Sequence, residues 1–225
     1  MKHVFVETNW IIDFAAPLYR QIPAAKGLFD RANAGEIELH VPALCIPEAR
    51  RKIRRSLQPR FEADPIRSFV RSERDRGTIT DVDREAVMRL LSRYEADVND
   101  WFRGLDATLQ ALSRAPGIDL FPLNDRQLEL SIELSFQVDL QVFDHSILAA
   151  VLGRAEEIRQ DDVYGEFAFC TRDADLWPWH KKTRETKKEL RDLYDGQAVW
   201  VYGDFEMTSP ARPDGWPERQ PPADP

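Results

Sequence analysis

Short β-prone runs alternate with longer stretches of helical spacing along the chain. His3 to Val6 is one such run, ending on Glu7-Thr8-Asn9, after which Trp10, Ile11, Ile12 and Phe14 read as the start of a helix. Residues 24–34 have helical spacing and stop at Gly35, and Glu38 to Val41 is a second strand closed by Pro42. Pro47 at a first-turn position, followed by Glu48, opens the next helix. From about 56 to 114 the chain is highly charged, with apolar positions at helical intervals (Val87, Leu90, Leu91, Tyr94, then Val98, Trp101, Phe102, Leu105), and reads as a helical insertion. Ile118 to Phe121 predicts a third strand, residues 125–135 a helix capped at Asn124-Asp125, residues 142–151 a more apolar helix, and Phe167 to Cys170 a fourth strand. Residues 183–194 then predict a helix and residues 198–202 a fifth strand. This order predicts an α/β fold, a three-layer sandwich in which helices cover both faces of a central parallel sheet of about five strands. One domain is expected over residues 1–207. Six prolines crowd into the last 16 residues, so 208–225 is expected to be a disordered tail.

Composition narrows the classes of function. A chain of 225 residues, 43% of them hydrophobic, can bury a core without disulfide staples, and Cys45 and Cys170 sit singly in apolar runs as reduced thiols. That usage, with no apolar stretch of membrane-spanning length and no signal-peptide core, leads to the expectation of a cytoplasmic protein without a membrane partner. No glycine-rich phosphate loop or GxGxxG is present, so nucleotide-binding readings lose their main support. The net charge of −8 argues against coating nucleic acid by bulk charge, yet it conceals a run of six cations and no acid between Arg50 and Arg60. A second basic stretch contains Lys181, Lys182, Arg184, Lys187, Lys188 and Arg191. Taken alone, such runs are ordinary solvated helix faces; beside an acidic centre they suit a polyanion.

Ligands of open parallel sheets bind beyond the carboxyl ends of the strands. Glu7 follows the first strand, Glu48 lies in the first turn after the second, Asp144 interrupts an apolar helix, and Asp173 and Asp175 follow the fourth strand. Carboxylates converging without Cys or His are the ligand chemistry of a hard cation, Mg²⁺ or Mn²⁺. Each has a plainer account: Glu48 as a helix N-terminal charge, Asp173 or Asp175 as a turn cap, Asn9 and Thr171 as capping residues. Asp144 is harder to explain away, because a carboxylate among Phe143, Ile147 and Leu148 is costly unless paired or metal-bound. His145 beside it reads as structural.

The segments around these acids resemble the PIN-domain family: residues 4–13 (VFVETNWIID) its opening motif, Pro47-Glu48-Ala49 its second, residues 142–150 (VFDHSILAA) its third, and residues 171–176 (TRDADL) its fourth. The resemblance implies a metal-dependent nuclease, most often a ribonuclease, in which Glu7, Glu48, Asp144 and Asp173, supported by Asp175, hold Mg²⁺ or Mn²⁺ and carry catalysis. Asn9 and Thr171 would orient those ligands. Arg50, Arg51, Arg54 and Arg55, with Lys181, Lys182 and Lys187 as a second bank, would hold the phosphate backbone of an RNA, and Trp177, Trp179 and His180 could stack on unpaired bases. Many such proteins are toxins, so an antitoxin-like protein partner is one expectation and a homo-oligomer another. Two departures stand out: Glu7 occupies a position usually held by Asp, and the 56–114 segment is longer than in compact toxins. A structure-specific DNA nuclease, and a binding or scaffold module with a weakened metal site, are the alternative readings.

Overall fold

A computed structural model describes residues 1–17, 20–56 and 58–207. The proline-rich stretch expected to form a tail lies outside the described residues. Five strands, β1 (Lys2–Val6), β2 (Glu38–Pro42), β3 (Ile118–Phe121), β4 (Glu166–Cys170) and β5 (Val199–Tyr202), pair in parallel in the order β3-β2-β1-β4-β5. The chain therefore runs outward from β1 through β2 to β3, then crosses back to the other side of β1 for β4 and β5. Its winding direction reverses between β1 and β4, and such a reversal leaves a crevice at the carboxyl ends of those two strands. Four of five residues in β1, β2 and β4 are buried, as expected of strands covered on both faces.

Eight helices among the described residues flank the sheet: α1 (Thr8–Ala15), α2 (Pro23–Asn33), α3 (Cys45–Ser56), α4 (Pro59–Asp75), α5 (Asp81–Leu112), α6 (Asp125–Ser135), α7 (Val142–Asp161) and α8 (Lys188–Gly196). The architecture is a three-layer α/β sandwich. Fully buried Trp10 anchors α1 beneath α2, its indole N–H donating to the Ala25 carbonyl at 3.0 Å. Burying a side chain of this size contributes on the order of 3 kcal/mol. Gly117 is obligatory at the entrance to β3: its φ is 78°, and a Cβ there would stand 2.1 Å from the Ala32 carbonyl oxygen of α2.

The charged segment expected to be helical forms α4 and α5, joined by a turn at Gly77 (φ 71°) and a capping box between Thr80 and Asp83. The distal half of the hairpin is pinned by the paired Arg67–Glu95 bonds of 2.8 and 2.6 Å. The proximal half of α5 sends Val98, Leu105, Leu109 and Leu112 into the main core.

Two boundaries differ from the sequence reading. Helix α7 continues ten residues beyond Val151 to Asp161, because its arginines find partners over the sheet: Arg154 on Asp119, and Arg159 above the Phe167 ring at 4.7 Å. Helix α8 begins at Lys188, not Thr183. Residues 180–187 instead double back, with Arg184 at φ 62° and an antiparallel bridge between Trp179 and Thr186. Helical spacing of apolar residues did not reveal this turn because backbone bonds to His180 and Pro178 hold it.

Candidate functional site

The helices α1, α3 and α7 all begin at the carboxyl edge of the sheet, and each begins with a carboxylate. Glu7 is the N-cap of α1: its Oε2 accepts the Asn9 backbone N–H at 2.7 Å. Glu48 lies in the first turn of α3 and Asp144 in the first turn of α7. The positive ends of three helix dipoles thus favour anionic side chains at one edge of the fold. Asp173 joins them from the loop after β4. The Asp173 amide donates to the Thr171 hydroxyl at 2.9 Å, the Asp175 amide donates to Asp173 Oδ1 at 3.0 Å, and Thr171 Oγ1 donates to Glu7 Oε1 at 3.2 Å. The loop is tied to α1 by the Arg172–Asp13 ion pair of 2.6 Å.

The acids act on one another by charge. Burial pushes the Glu7 carboxyl up to about 7, against the lowering effect of the Asn9 amide, and the Asp173 charge raises it further. Burial likewise pushes Asp144 up to about 6, reinforced by Asp173, Asp175 and Glu48, while Lys52 lowers it. Glu7 and Glu48 are both more than nine-tenths buried, whereas Asp144 and Asp173 are half-buried and Asp175 is exposed. Glu7, Glu48, Asp144, Asp173 and Asp175 are thus linked pairwise by charge beyond the carboxyl ends of the strands, and the backbone N–H of Asn9 and the hydroxyl of Thr171 orient Glu7.

Two contributors were not singled out from the sequence. The Thr8 hydroxyl donates to Glu48 Oε2, fixing that carboxylate from α1. Lys52, one turn along α3, sets its ammonium 2.9 Å from Glu48 Oε1 and is felt by Glu7 and Asp144. The i, i+4 spacing of Glu48 and Lys52 carried the signal for the second contact. The buried Cys45 thiol lies beside Thr8, and burial raises it, so it stays protonated.

The basic residues divide. Arg51 and Arg55 are exposed on α3. Arg50 instead clamps Asp106 of α5 with bonds of 2.6 and 2.8 Å, and Arg54 reaches the same carboxylate at 3.5 Å, so both are engaged in holding the helical hairpin against α3. Lys187 is also drawn inward: its Nζ donates to the Ala174 and Asp175 carbonyls at 3.0 and 3.1 Å, bracing the acidic loop. Burial lowers its pKa, opposed by the Asp175 and Asp173 charges. Lys181 and Lys182 are exposed. Trp179 is fully buried and stacks on Trp177, whose indole donates to the Thr171 carbonyl, so this pair supports the loop from within. His180 is exposed. His145 is buried with Nε2 on the Val138 carbonyl at 2.9 Å.

The donors are of the chemical kind a hard divalent cation takes, but among the described residues no three of these carboxylates bring oxygens within 4.8 Å of one another, so holding an ion would draw them closer together. They are carboxylate oxygens, and burial together with the acids' mutual charge leaves Glu7 and Asp144 above the ordinary carboxylate range, as expected of a cluster that lacks positive charge. Lys52 supplies part of that charge. Lys52→Gln is accordingly expected to tighten Mn²⁺ binding roughly threefold to tenfold by removing a competing cation, as read by titration calorimetry. Weaker Mn²⁺ binding would mean that Lys52 serves to position Glu48.

No protein-family model, curated protein or solved structure matches the chain. No described helix is long and apolar enough to cross a membrane.

Proposed function

We propose that this protein is a PIN-like, metal-dependent nuclease that hydrolyses phosphodiester bonds of RNA. What supports the reading is that Glu7, Glu48, Asp144 and Asp173 follow strands or open helices on the side of the sheet where its winding reverses and act on one another by charge, with oxygen donors of the kind Mg²⁺ or Mn²⁺ takes. Such a cation, when bound, supplies Lewis acidity that activates water and offsets charge on the leaving oxygen. The chain's own groups do the rest. Thr171 and the Asn9 amide hold Glu7 in one orientation, Thr8 does the same for Glu48, and the Arg172–Asp13 and Lys187 contacts keep the 171–175 loop in place. No nucleophilic side chain is required: Cys45 stays protonated and His145 is committed to a backbone carbonyl.

Arg51 and Arg55, exposed three and seven positions along the helix that carries Glu48, are read as phosphate contacts, with Lys181 and Lys182 as further ones. Replacing Arg51 and Arg55 together by Gln is expected to weaken RNA binding and to lower the salt dependence of the affinity by about two counterions, with little change in metal affinity. Affinity for a single-stranded RNA over a salt series measures this, and an unchanged slope removes both residues from the substrate path. The activity itself is tested by incubating the purified chain with single-stranded RNA and DNA in Mg²⁺, in Mn²⁺ and in chelator. Metal-dependent cleavage of RNA is the expected result; cleavage confined to DNA would move the reading to a DNA nuclease.

A second reading is a PIN-like binding module with a weakened metal site. It is favoured by the Lys52 ammonium among the acids and by the engagement of both Glu7 oxygens as hydrogen-bond acceptors. Under that reading neither Mg²⁺ nor Mn²⁺ binds the cluster measurably.

A further inference from the structure

At the amino end of the sheet, away from the acidic crevice, two histidines and a glutamate face one another across β1 and β2. His3 and His40 are 3% and 1% exposed, and Glu38, half-exposed, stands beside them as the partner of His3 in the strand register. Each imidazole is held from behind by a carboxylate. His3 Nε2 is 3.2 Å from Asp162 Oδ2, and His40 Nδ1 is 2.8 Å from Asp119 Oδ2, itself fixed by Arg154 at 2.9 Å. An ionised carboxylate can only accept, so each ring directs an N–H rearward. The two remaining nitrogens, His3 Nδ1 and His40 Nε2, then point lone pairs at each other across 3.0 Å.

Two buried lone pairs at that distance repel unless a cation lies between them, either a proton or a metal ion. A proton would leave one imidazolium charge at a site where both rings are almost fully buried. The spacing also admits a metal. Bonds of about 2.05 Å in a tetrahedral site put ligand atoms about 3.3 Å apart. Here the His3–His40 nitrogens are 3.0 Å apart, Glu38 Oε2 is 3.3 Å from His3 Nδ1, and the three donor atoms lie within 4.8 Å of one another. Carboxylates behind ligating histidines are the arrangement that fixes the tautomer and raises ligand basicity at transition-metal sites.

We infer that His3, His40 and Glu38 form a second metal site, for Zn²⁺ or a similar imidazole-preferring divalent cation, with the fourth position open to water, and that Asp162 and Asp119 orient its two histidines. Two nitrogen donors and one carboxylate select Zn²⁺ over Mg²⁺, so the site differs in metal preference from the all-oxygen cluster at the other end of the sheet. Its ligands come from β1 and β2, and their orienting groups from β3 and the residue after α7, so a bound ion ties those elements together. The inference is independent of the nuclease reading.

The test uses the full chain, stripped with chelator and titrated with Zn²⁺ by calorimetry, then with Co²⁺ by visible absorption. The expected result is one tight equivalent of Zn²⁺ in wild type and in Asp144→Asn, undisturbed by excess Mg²⁺, with the intense d–d bands of four-coordinate Co²⁺. Glu38→Gln and His40→Gln are each expected to lower Zn²⁺ affinity at least about tenfold. Should His40→Gln fail to fold, Glu38→Gln, at a half-exposed position, carries the mutational arm, and imidazole ¹⁵N shifts of wild-type His3 and His40 on adding Zn²⁺ carry the histidine arm. No Zn²⁺ uptake by wild type, uptake unchanged in Glu38→Gln, uptake lost instead in Asp144→Asn, or imidazole shifts that ignore Zn²⁺ would each overturn the site.

Discussion

Asp144→Asn is expected to reduce metal-dependent RNA cleavage at least about 100-fold while leaving the chain folded. Asp144 is raised by the charges of Asp173, Asp175 and Glu48 and lowered by that of Lys52. Asn keeps nearly the same volume and the same place in the first turn of α7, so packing against neighbouring Ile147 and Leu148 is undisturbed. What is lost is one negative charge from a donor set that binds a hard cation chiefly by charge. Since burial raises the Asp144 carboxyl from 3.8 to about 6, above that pH the metal-free folded protein carries a carboxylate that is less well stabilised than in the unfolded chain, at a cost in stability. The variant should therefore be slightly more stable than wild type in chelator near pH 8, by on the order of 1 kcal/mol once solvent screening of a half-exposed group is allowed for. Single-turnover cleavage assays and denaturant unfolding measure the two effects. Full activity of a folded Asp144→Asn protein would remove the acidic cluster from catalysis.

Glu7→Gln is expected to give the largest change in stability, and in the opposite direction from most substitutions at a buried polar position. The folded-state pKa of Glu7 is raised from 4.5 to about 7, chiefly by burial. A raised carboxyl pKa means that the folded chain holds this proton more firmly than the unfolded one. The stabilisation this confers is complete below about pH 4.5, is lost as the pH rises through about 7, and leaves an ionised buried carboxylate opposing the fold above that. Gln is neutral throughout and keeps a side-chain oxygen to accept the Asn9 amide. The difference in unfolding free energy between Glu7→Gln and wild type, in chelator, should open between about pH 4.5 and 7 and level off at about 2–3 kcal/mol in favour of the variant. Adding Mn²⁺ should stabilise wild type and close the gap, while the variant responds weakly and loses cleavage. Parallel stability curves across that range would show that Glu7 is not held neutral by its surroundings.

The strands and most helices were legible because their signals are local. Alternation and flanking turn residues placed Ile118–Phe121 as found, and Asn124 capped α6 as expected. Position after the strands marked Glu7, Glu48 and Asp173 as candidates, since carboxyl ends of parallel strands share one edge of a sheet, while Asp144 stood out as a carboxylate in an apolar helix. Where the reading went astray, backbone and side-chain bonds that the apolar pattern does not encode had decided the boundary. The late start of α8 follows from backbone bonds to Pro178 and His180, and the length of α7 from arginines whose partners lie on β3 and β4. Nor does composition distinguish Arg50, locked on Asp106 across 56 positions, from Arg51, which stands in solvent.

Hydrophobic periodicity and turn chemistry were enough to specify a parallel α/β sandwich and the order of its elements, because each depends on neighbours a few residues apart. Which carboxylates feel one another, that Lys52 stands among them, and that His3 meets His40 are different in kind. These follow from the strand order β3-β2-β1-β4-β5, which brings residues 29 to 166 positions apart within electrostatic or hydrogen-bonding reach. Charge and hydrogen bonding act through space, and only the folded sheet converts separation along the chain into distance.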